Sequence, residues 1–267
     1  TAATTPEDFW KDLETSLEKL QTDYIDVYQF HCVGQCYKPG DGTGMYECML
    51  EAKKQGKIRH IGVTAHKIGI AYECVESGLY ETMQFPFSYL SGPQEIKLVQ
   101  MCQEANMGFV CMKGLAGGLI SNSRAAMAYM CQYPDILPIW GIQKEKELEE
   151  WLSYMSDTPC MDEETAAFIA KEQEELSGDF CRGCGYCMPC PQGITINQCA
   201  RMSLMLRRAL SEAWLNAYWQ KEMAKIETCL HCNACKAKCP YELDTPALLQ
   251  KNLEDYKNVL AGKTKVQ

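Results

Sequence analysis

Near the C-terminus, eight cysteines fall into two short runs, and no other feature limits this chain's fold as sharply. The first run is Cys181-x2-Cys184-x2-Cys187-x2-Cys190-Pro191; the second is Cys229-x2-Cys232-x2-Cys235-x3-Cys239-Pro240. The second spacing is that of bacterial two-cluster iron–sulfur proteins. Three thiolates two residues apart reach three irons of one cube, and the fourth, redirected by its proline, reaches the other cube. On that rule one [4Fe–4S] cluster takes Cys181, Cys184, Cys187 and Cys239. The other takes Cys229, Cys232, Cys235 and Cys190. Zinc is the competing reading. Structural zinc sites pair two cysteines, then leave a longer spacer before two more ligands. Four cysteines packed together, twice, fit two clusters better. His231, inside the second run, reads as a solvated loop residue.

Seventeen of the 267 residues are cysteine. The nine outside the runs are scattered and read mostly as free thiols, core or surface, because free cysteine packs as a small hydrophobe. Cys32 and Cys36 follow the strand end beside His31, but C-x3-C is a poor match to a redox C-x-x-C. Such usage points to a reducing cytoplasm of an anaerobe rather than to a secreted disulfide framework. The net charge of −9 speaks against nucleic acid or an anionic membrane as partner. No stretch has the roughly 18 uncharged apolar residues of a membrane span. No charged-then-apolar leader opens the chain, which starts Thr1-Ala2-Ala3 and so reads as a fragment or a processed product.

Helix and strand signals alternate through the first 155 residues. Helices are expected over 6–20, 45–55, 69–78, 93–106, 122–132 and 144–155. Strands are expected over 24–30, 57–63, 81–85, 108–112 and 136–140, and Val, Ile, Phe and Tyr recur in them. Short apolar strands alternating with helices indicate parallel β/α units. A closed β/α barrel needs eight strands, and here there are five. The fold class is therefore α/β, a partial (β/α)8 barrel of about five units, followed by an α-helical ferredoxin-like two-cluster domain. An open five-stranded sheet is the alternative. No Gly-x-Gly-x-x-Gly follows the first strand, so the dinucleotide fingerprint of that fold is missing. The divisions are 1–157 for the partial barrel, 158–178 for an acidic linker helix, and 179–267 for the cluster domain. The last should contain helices from about Ile196 to Lys225 and from Thr245 to Tyr256.

Residues 13–31, ending Tyr24-Ile25-Asp26-Val27-Tyr28-Gln29-Phe30-His31, resemble the fourth β/α unit of aldo-keto reductases. Residues 57–66, Gly108 to Leu119 and Leu137 to Trp151 resemble units five, seven and eight. The cysteine domain is similar to one carried by a bacterial branch of that family. The resemblance implies a barrel that passes hydride between NAD(P)H and a small-molecule carbonyl or alcohol. His31 matches the family's catalytic His. The family's Asp, Tyr and Lys belong to units one to three, which are missing here, so this chain should not reduce a carbonyl by itself. The loop Lys113-Gly114-Leu115-Ala116-Gly117-Gly118 matches one lying along the cofactor, with Lys113, Leu115, Gly117 and Gly118 as its contacts. Gly141, Gln143 and Lys144 follow the strand that matches unit eight and are read as cofactor-side positions, Glu150 matches an adenine-contacting Glu, and Thr64 and Gln84 match positions that hold the nicotinamide amide. Glu147 stands where the family often has an Arg for the 2′-phosphate, which leans toward NAD(H); Lys144 or Lys146 could compensate, so NADP(H) stays open. Hydride carries two electrons and each cluster takes one. Direct exchange would need a converter such as a flavin, for which no motif is seen. Two accounts follow: an iron–sulfur oxidoreductase whose clusters relay electrons or brace the fold, or a non-catalytic electron-transfer or scaffold protein. A redox partner protein and self-association through bare barrel edges are further expectations.

Overall fold

The computed structural model describes residues 1–176, 180–208 and 211–266. The boundary between linker helix and cluster domain, at 178 and 179, lies outside the described residues. The chain forms two compact units, one of Thr1–Gly114 with Met127–Met161, the other of Leu115–Ala126 with Asp162–Gln267. The segment Leu115–Ala126, which the sequence reading kept with the barrel, thus clusters with the second unit.

The first unit runs α1 (Pro6–Leu20), β1 (Ile25–Phe30), α2 (Met45–Lys54), β2 (Ile58–Thr64), α3 (Ile68–Glu76), β3 (Thr82–Pro86), α4 (Pro93–Glu104) and β4 (Gly108–Met112). α5 (Ser123–Met130) spans the junction of the two units, and β5 (Ile136–Pro138) and α6 (Glu145–Ser153) follow. Helix α1 forms for local reasons. Thr5 accepts from the Asp8 amide, Pro6 occupies the first turn, and Glu7 and Asp8 sit at the positive end of the dipole. Among the described residues one sheet is found, ordered β1-β2-β3-β4-β5 with every pairing parallel. That is the alternation expected of consecutive β/α units, and it confirms the partial-barrel fold class.

The sheet has two unlike faces. On the helix-covered face the registered row Phe30, Val63, Met83 and Phe109 is buried. Phe9 of α1 anchors it, edge-on to Tyr28 at 5.8 Å and tilted against Phe30 at 6.2 Å. The opposite face carries the row Gln29, Gly62, Thr82 and Gly108. A side chain on Gly62 would meet Thr82 Oγ1 at 2.2 Å, so glycine is required there. Val27 and Leu137 on this face are 40% and 62% exposed. A closed barrel fills that interior with packed layers, whereas this face is open. The core therefore sits between sheet and helices. Phe9→Ala should cost about 3–5 kcal/mol of unfolding free energy, read as the shift in a urea midpoint. A loss under about 1 kcal/mol would mean that the unit does not pack on α1.

The second unit contains α7 (Glu163–Glu175), α8 (Ile196–Cys199), α9 (Met202–Arg208), α10 (Ala217–Ala224), α11 (Ala234–Ala237) and α12 (Thr245–Leu260), with 3-10 turns at Ser211–Ala213 and Lys225–Thr228. The single helix expected from Ile196 to Lys225 is thus broken into short pieces; its residues 209 and 210 lie outside the described residues. One reason for the break is visible in Asn216, whose side chain accepts from the Trp219 amide and starts a new helix. The pieces pack around the long helix α12, where Leu249, Leu253, Tyr256 and Val259 are buried with Ile194, Leu206 and Ile226. No described helix is long and apolar enough to cross a membrane.

Candidate functional site

In the second unit the two cysteine runs close around two cavities. One is lined by Cys181, Cys184, Cys187 and Cys239. The other is lined by Cys190, Cys229, Cys232 and Cys235, together with Cys187. Each cavity therefore draws thiols from both runs. The loops turn through left-handed backbone at Gly183, Gly185, His231 and Asn233, so that amides face sulfur. Gly183 N–H donates to Cys181 Sγ, and His231 N–H to Cys229 Sγ, both at 3.4 Å. His231 thus serves through its backbone. Burial pushes the Cys187 thiol up to about 12, so a metal that takes it as thiolate must release a proton. Among the described residues no three His, Cys, Asp or Glu side chains gather closely enough to hold a single metal ion. Cluster binding fits this chemistry: an all-sulfur donor set, apolar walls and amides aimed at sulfur.

Two guanidiniums, which the motif spacing does not reveal, lie near the Cys181 loop: Arg182 in the wall of the first cavity and Arg201 against Gly183. Arg182 lies over the rings of Phe180 at 4.7 Å and Tyr241 at 4.4 Å. It staples the Cys181 loop to the segment following Cys239. Arg201 is only 8% exposed. Its Nη1 donates to the Gly117 carbonyl at 2.6 Å and lies 2.7 Å from where a Cβ on Gly183 would stand. Arg208 Nε donates to the Leu119 carbonyl at 2.6 Å and its guanidinium pairs with Glu172. The loop after β4 is thus held by two arginines of its own unit.

The residues assigned to a nucleotide are divided between the units. Leu115, Gly117 and Gly118 belong to the second, and Thr64, Gln84, Lys113, Gly141, Gln143 and Glu150 to the first. Gly117 has φ +69°, and a Cβ there would stand 2.4 Å from the Arg182 carbonyl oxygen. Protein packing therefore already requires glycine at 117. Gly118, at φ +90°, has open space around its Cα. Thr64 Oγ1 accepts from the Cys32 amide at 2.7 Å, a link between strand ends. Gln84 faces the open side of the sheet, its Nε2 3.7 Å from Met112 Sδ. Gly141 is exposed, and Glu150 Oε1 accepts from Tyr154 at 3.2 Å. Glu147 accepts from the Gln143 and Lys144 amides at 2.8 and 3.2 Å, and those bonds hold its carboxyl below the usual range. A carboxylate thus already fills the N-terminus of α6, where a phosphate would otherwise bind.

His31 stands exposed past the C-terminal end of β1, its backbone N–H donating to the Thr1 carbonyl at 2.7 Å. Close by is His66, which the sequence reading passed over; only its place two residues beyond β2 hinted at a role. Burial, with Lys113 and His31 as neighbouring positive charges, pushes the His66 imidazole down to about 4. At neutral pH it is uncharged. Three basic side chains therefore meet at the C-terminal ends of β1, β2 and β4, the end of a β/α sheet where chemistry sits. An unfolded His66 titrates near 6.5, so between pH 6.5 and 4 the unfolded chain binds a proton that the folded one does not. Stability should fall as pH drops through that window, by on the order of 2 kcal/mol from this residue between pH 7 and 5. The test compares urea midpoints of the wild type and His66→Gln at both pH values. An identical pH dependence in the two would contradict the assignment.

Comparison with known proteins now adds to this geometry. Residues 1–132 match the aldo/keto reductase family, and residues 180–244 match a 4Fe-4S dicluster domain. Residues 1–132 are an aldo/keto reductase domain. Among curated relatives, that domain is similar to the NADH-specific methylglyoxal reductase of Escherichia coli, 28% identical over 120 residues, covering 44% of this chain and 36% of that protein. Another is the aldo-keto reductase YhdN of Bacillus subtilis, 30% identical over 112 residues, covering 42% of this chain and 33% of that protein. The chain thus spans about a third of the length of the curated relatives it matches. Among solved structures, the holo form of the aldo-keto reductase AKR11C1 from Bacillus halodurans superposes with a TM-score of 0.54 at 21% identity, over 64% of this chain and 68% of that one. This likeness supports the fold. The chain thus joins an aldo/keto reductase domain to a 4Fe-4S dicluster domain.

Proposed function

We propose that the protein holds two [4Fe–4S] clusters with crossed ligation, which relay electrons or brace the fold, beside a domain that serves NAD(H)-linked redox chemistry on a small carbonyl or alcohol. The observation that carries this reading is the convergence of both cysteine runs on each of two sulfur-lined cavities, in a chain whose first half is an aldo/keto reductase domain. When bound, the clusters supply one-electron transfer. In the first cavity Cys181, Cys184, Cys187 and Cys239 are the ligands; in the second, Cys190, Cys229, Cys232 and Cys235. The Gly183 and His231 amides stabilise anionic sulfur there. At the strand ends, Lys113 and His31 supply positive charge and a proton donor toward a carbonyl oxygen on which negative charge develops. Neutral His66 adds no further buried charge beside them. Glu147 repels a 2′-phosphate, which favours NAD(H) over NADP(H).

The relatives suggest small aldehydes such as methylglyoxal as first substrates. Anaerobic NADH oxidation that depends on an aldehyde, by the whole protein in its native cells' form, is the expected result. No turnover across a broad aldehyde panel would contradict it. The second reading, an electron-transfer or scaffold protein without nucleotide, is favoured by a specific observation. The Gly117 and Leu119 carbonyls and the Gln143 and Lys144 amides are already bonded within the protein. Titration with NADH separates the two: stoichiometric binding favours the reductase, and none favours the electron carrier. The open sheet face and the β1 and β5 edges also point to association with further β/α units or a second copy.

A further inference from the structure

The linings of the two cavities differ in charge, with an arginine in the first and neither arginine nor lysine in the second. A buried ion needs a counter-charge, because the low-dielectric interior penalises an uncompensated one. Arg201 is such an ion. It is buried, and among the described residues no carboxylate pairs with it. Its bonds are to neutral acceptors, the Gly117 carbonyl at 2.6 Å and Gln198 Oε1 at 3.4 Å. Its head lies against Gly183, whose amide donates to Cys181 Sγ. Arg182, in the wall of the same cavity, rests on aromatic faces at Phe180 and Tyr241. The second cavity has no arginine or lysine in its lining; around its cysteines stand Gln192, Leu230, His231, Asn233 and two prolines near Cys190. Nearby, Lys225 is paired with Glu222 and Lys236 with Asp244.

We propose that Arg201, assisted by Arg182, is the counter-charge of the cluster held by Cys181, Cys184, Cys187 and Cys239, and that it sets that cluster's reduction potential above that of its neighbour. A cluster with four thiolates is anionic and gains a further negative charge when it takes an electron. A fixed cation nearby stabilises the reduced form more than the oxidised one, so the potential rises. An electron entering the pair then settles in the first cavity. Arg201 also holds the Gly117 carbonyl, so the same side chain ties that cluster to the loop after β4. The inference rests on the two-cluster reading.

The test is a potentiometric titration of the anaerobic full chain with dithionite, followed by electron paramagnetic resonance. Dithionite supplies one electron to each cluster in turn. The wild type should show two separate one-electron steps. Arg201→Gln should lower the upper step by at least a tenfold change in its reduction equilibrium, 59 mV for one electron, and leave the lower step in place. Arg201→Lys, which keeps the charge, should retain most of the wild-type value. Should Arg201→Gln not assemble both clusters, Arg182→Gln carries the test, with the same selective lowering expected. Iron is counted in each sample. A wild type lacking two clusters would overturn the two-cluster reading itself. Two clusters whose potentials stay unmoved in the assembled glutamine variant, or that move equally, would overturn the role of the arginines alone.

Discussion

Cys239→Ser should remove one cluster and spare the other, lowering the iron content from about eight to about four per chain. The loss should fall on the cavity lined by Cys181, Cys184 and Cys187, although Cys239 lies in the other run. Double variants expose the crossing without any spectral assignment. Cys184 and Cys239 line the same cavity, so Cys184→Ser added to Cys239→Ser should cost no further iron. Cys232 lines the other cavity, so Cys232→Ser added to Cys239→Ser should bring iron close to zero. If each run instead closed on its own cluster, the two double variants would exchange results. Iron and sulfide analysis of the purified variants decides the matter.

Gly117→Ala should disturb the iron–sulfur unit far more than Gly118→Ala does. Both glycines have left-handed backbone, which costs an alanine about 1–2 kcal/mol. At 117 the new Cβ would also stand 2.4 Å from the backbone oxygen of Arg182, beside the Cys181 ligand. Backbone cannot step aside as a flexible side chain can, and overpacking adds about 1–3 kcal/mol. The expected totals are about 2–5 kcal/mol at 117 and about 1–2 kcal/mol at 118. The measurement is the urea midpoint for the cluster unit, without any nucleotide. Equal losses would mean that the loop after β4 does not pack on the Cys181 loop.

These two glycines show where sequence reading stops. Gly117 and Gly118 look alike in a Gly-Gly turn, and the resemblance gives both a cofactor. The structure separates them through a carbonyl 65 positions along the chain. Short-range signals fared better. Thr5, Pro6, Glu7 and Asp8 fix the start of α1 within four residues, and strand alternation gives the order of the sheet. The helix expected from Ile196 to Lys225 failed on local grounds too, because its apolar residues outweighed the cap at Asn216. The cysteine runs were legible because their chemistry lies in their spacing. Arg201 and His66 were not, because what distinguishes them is burial beside partners from distant segments.

The most direct test of the account is the metal and acid-labile sulfide content of the protein purified without oxygen. Two four-iron clusters predict about eight iron and about eight sulfide per chain, with a visible band that dithionite bleaches. One or two zinc ions per chain, with neither sulfide nor a bleachable band, would contradict it.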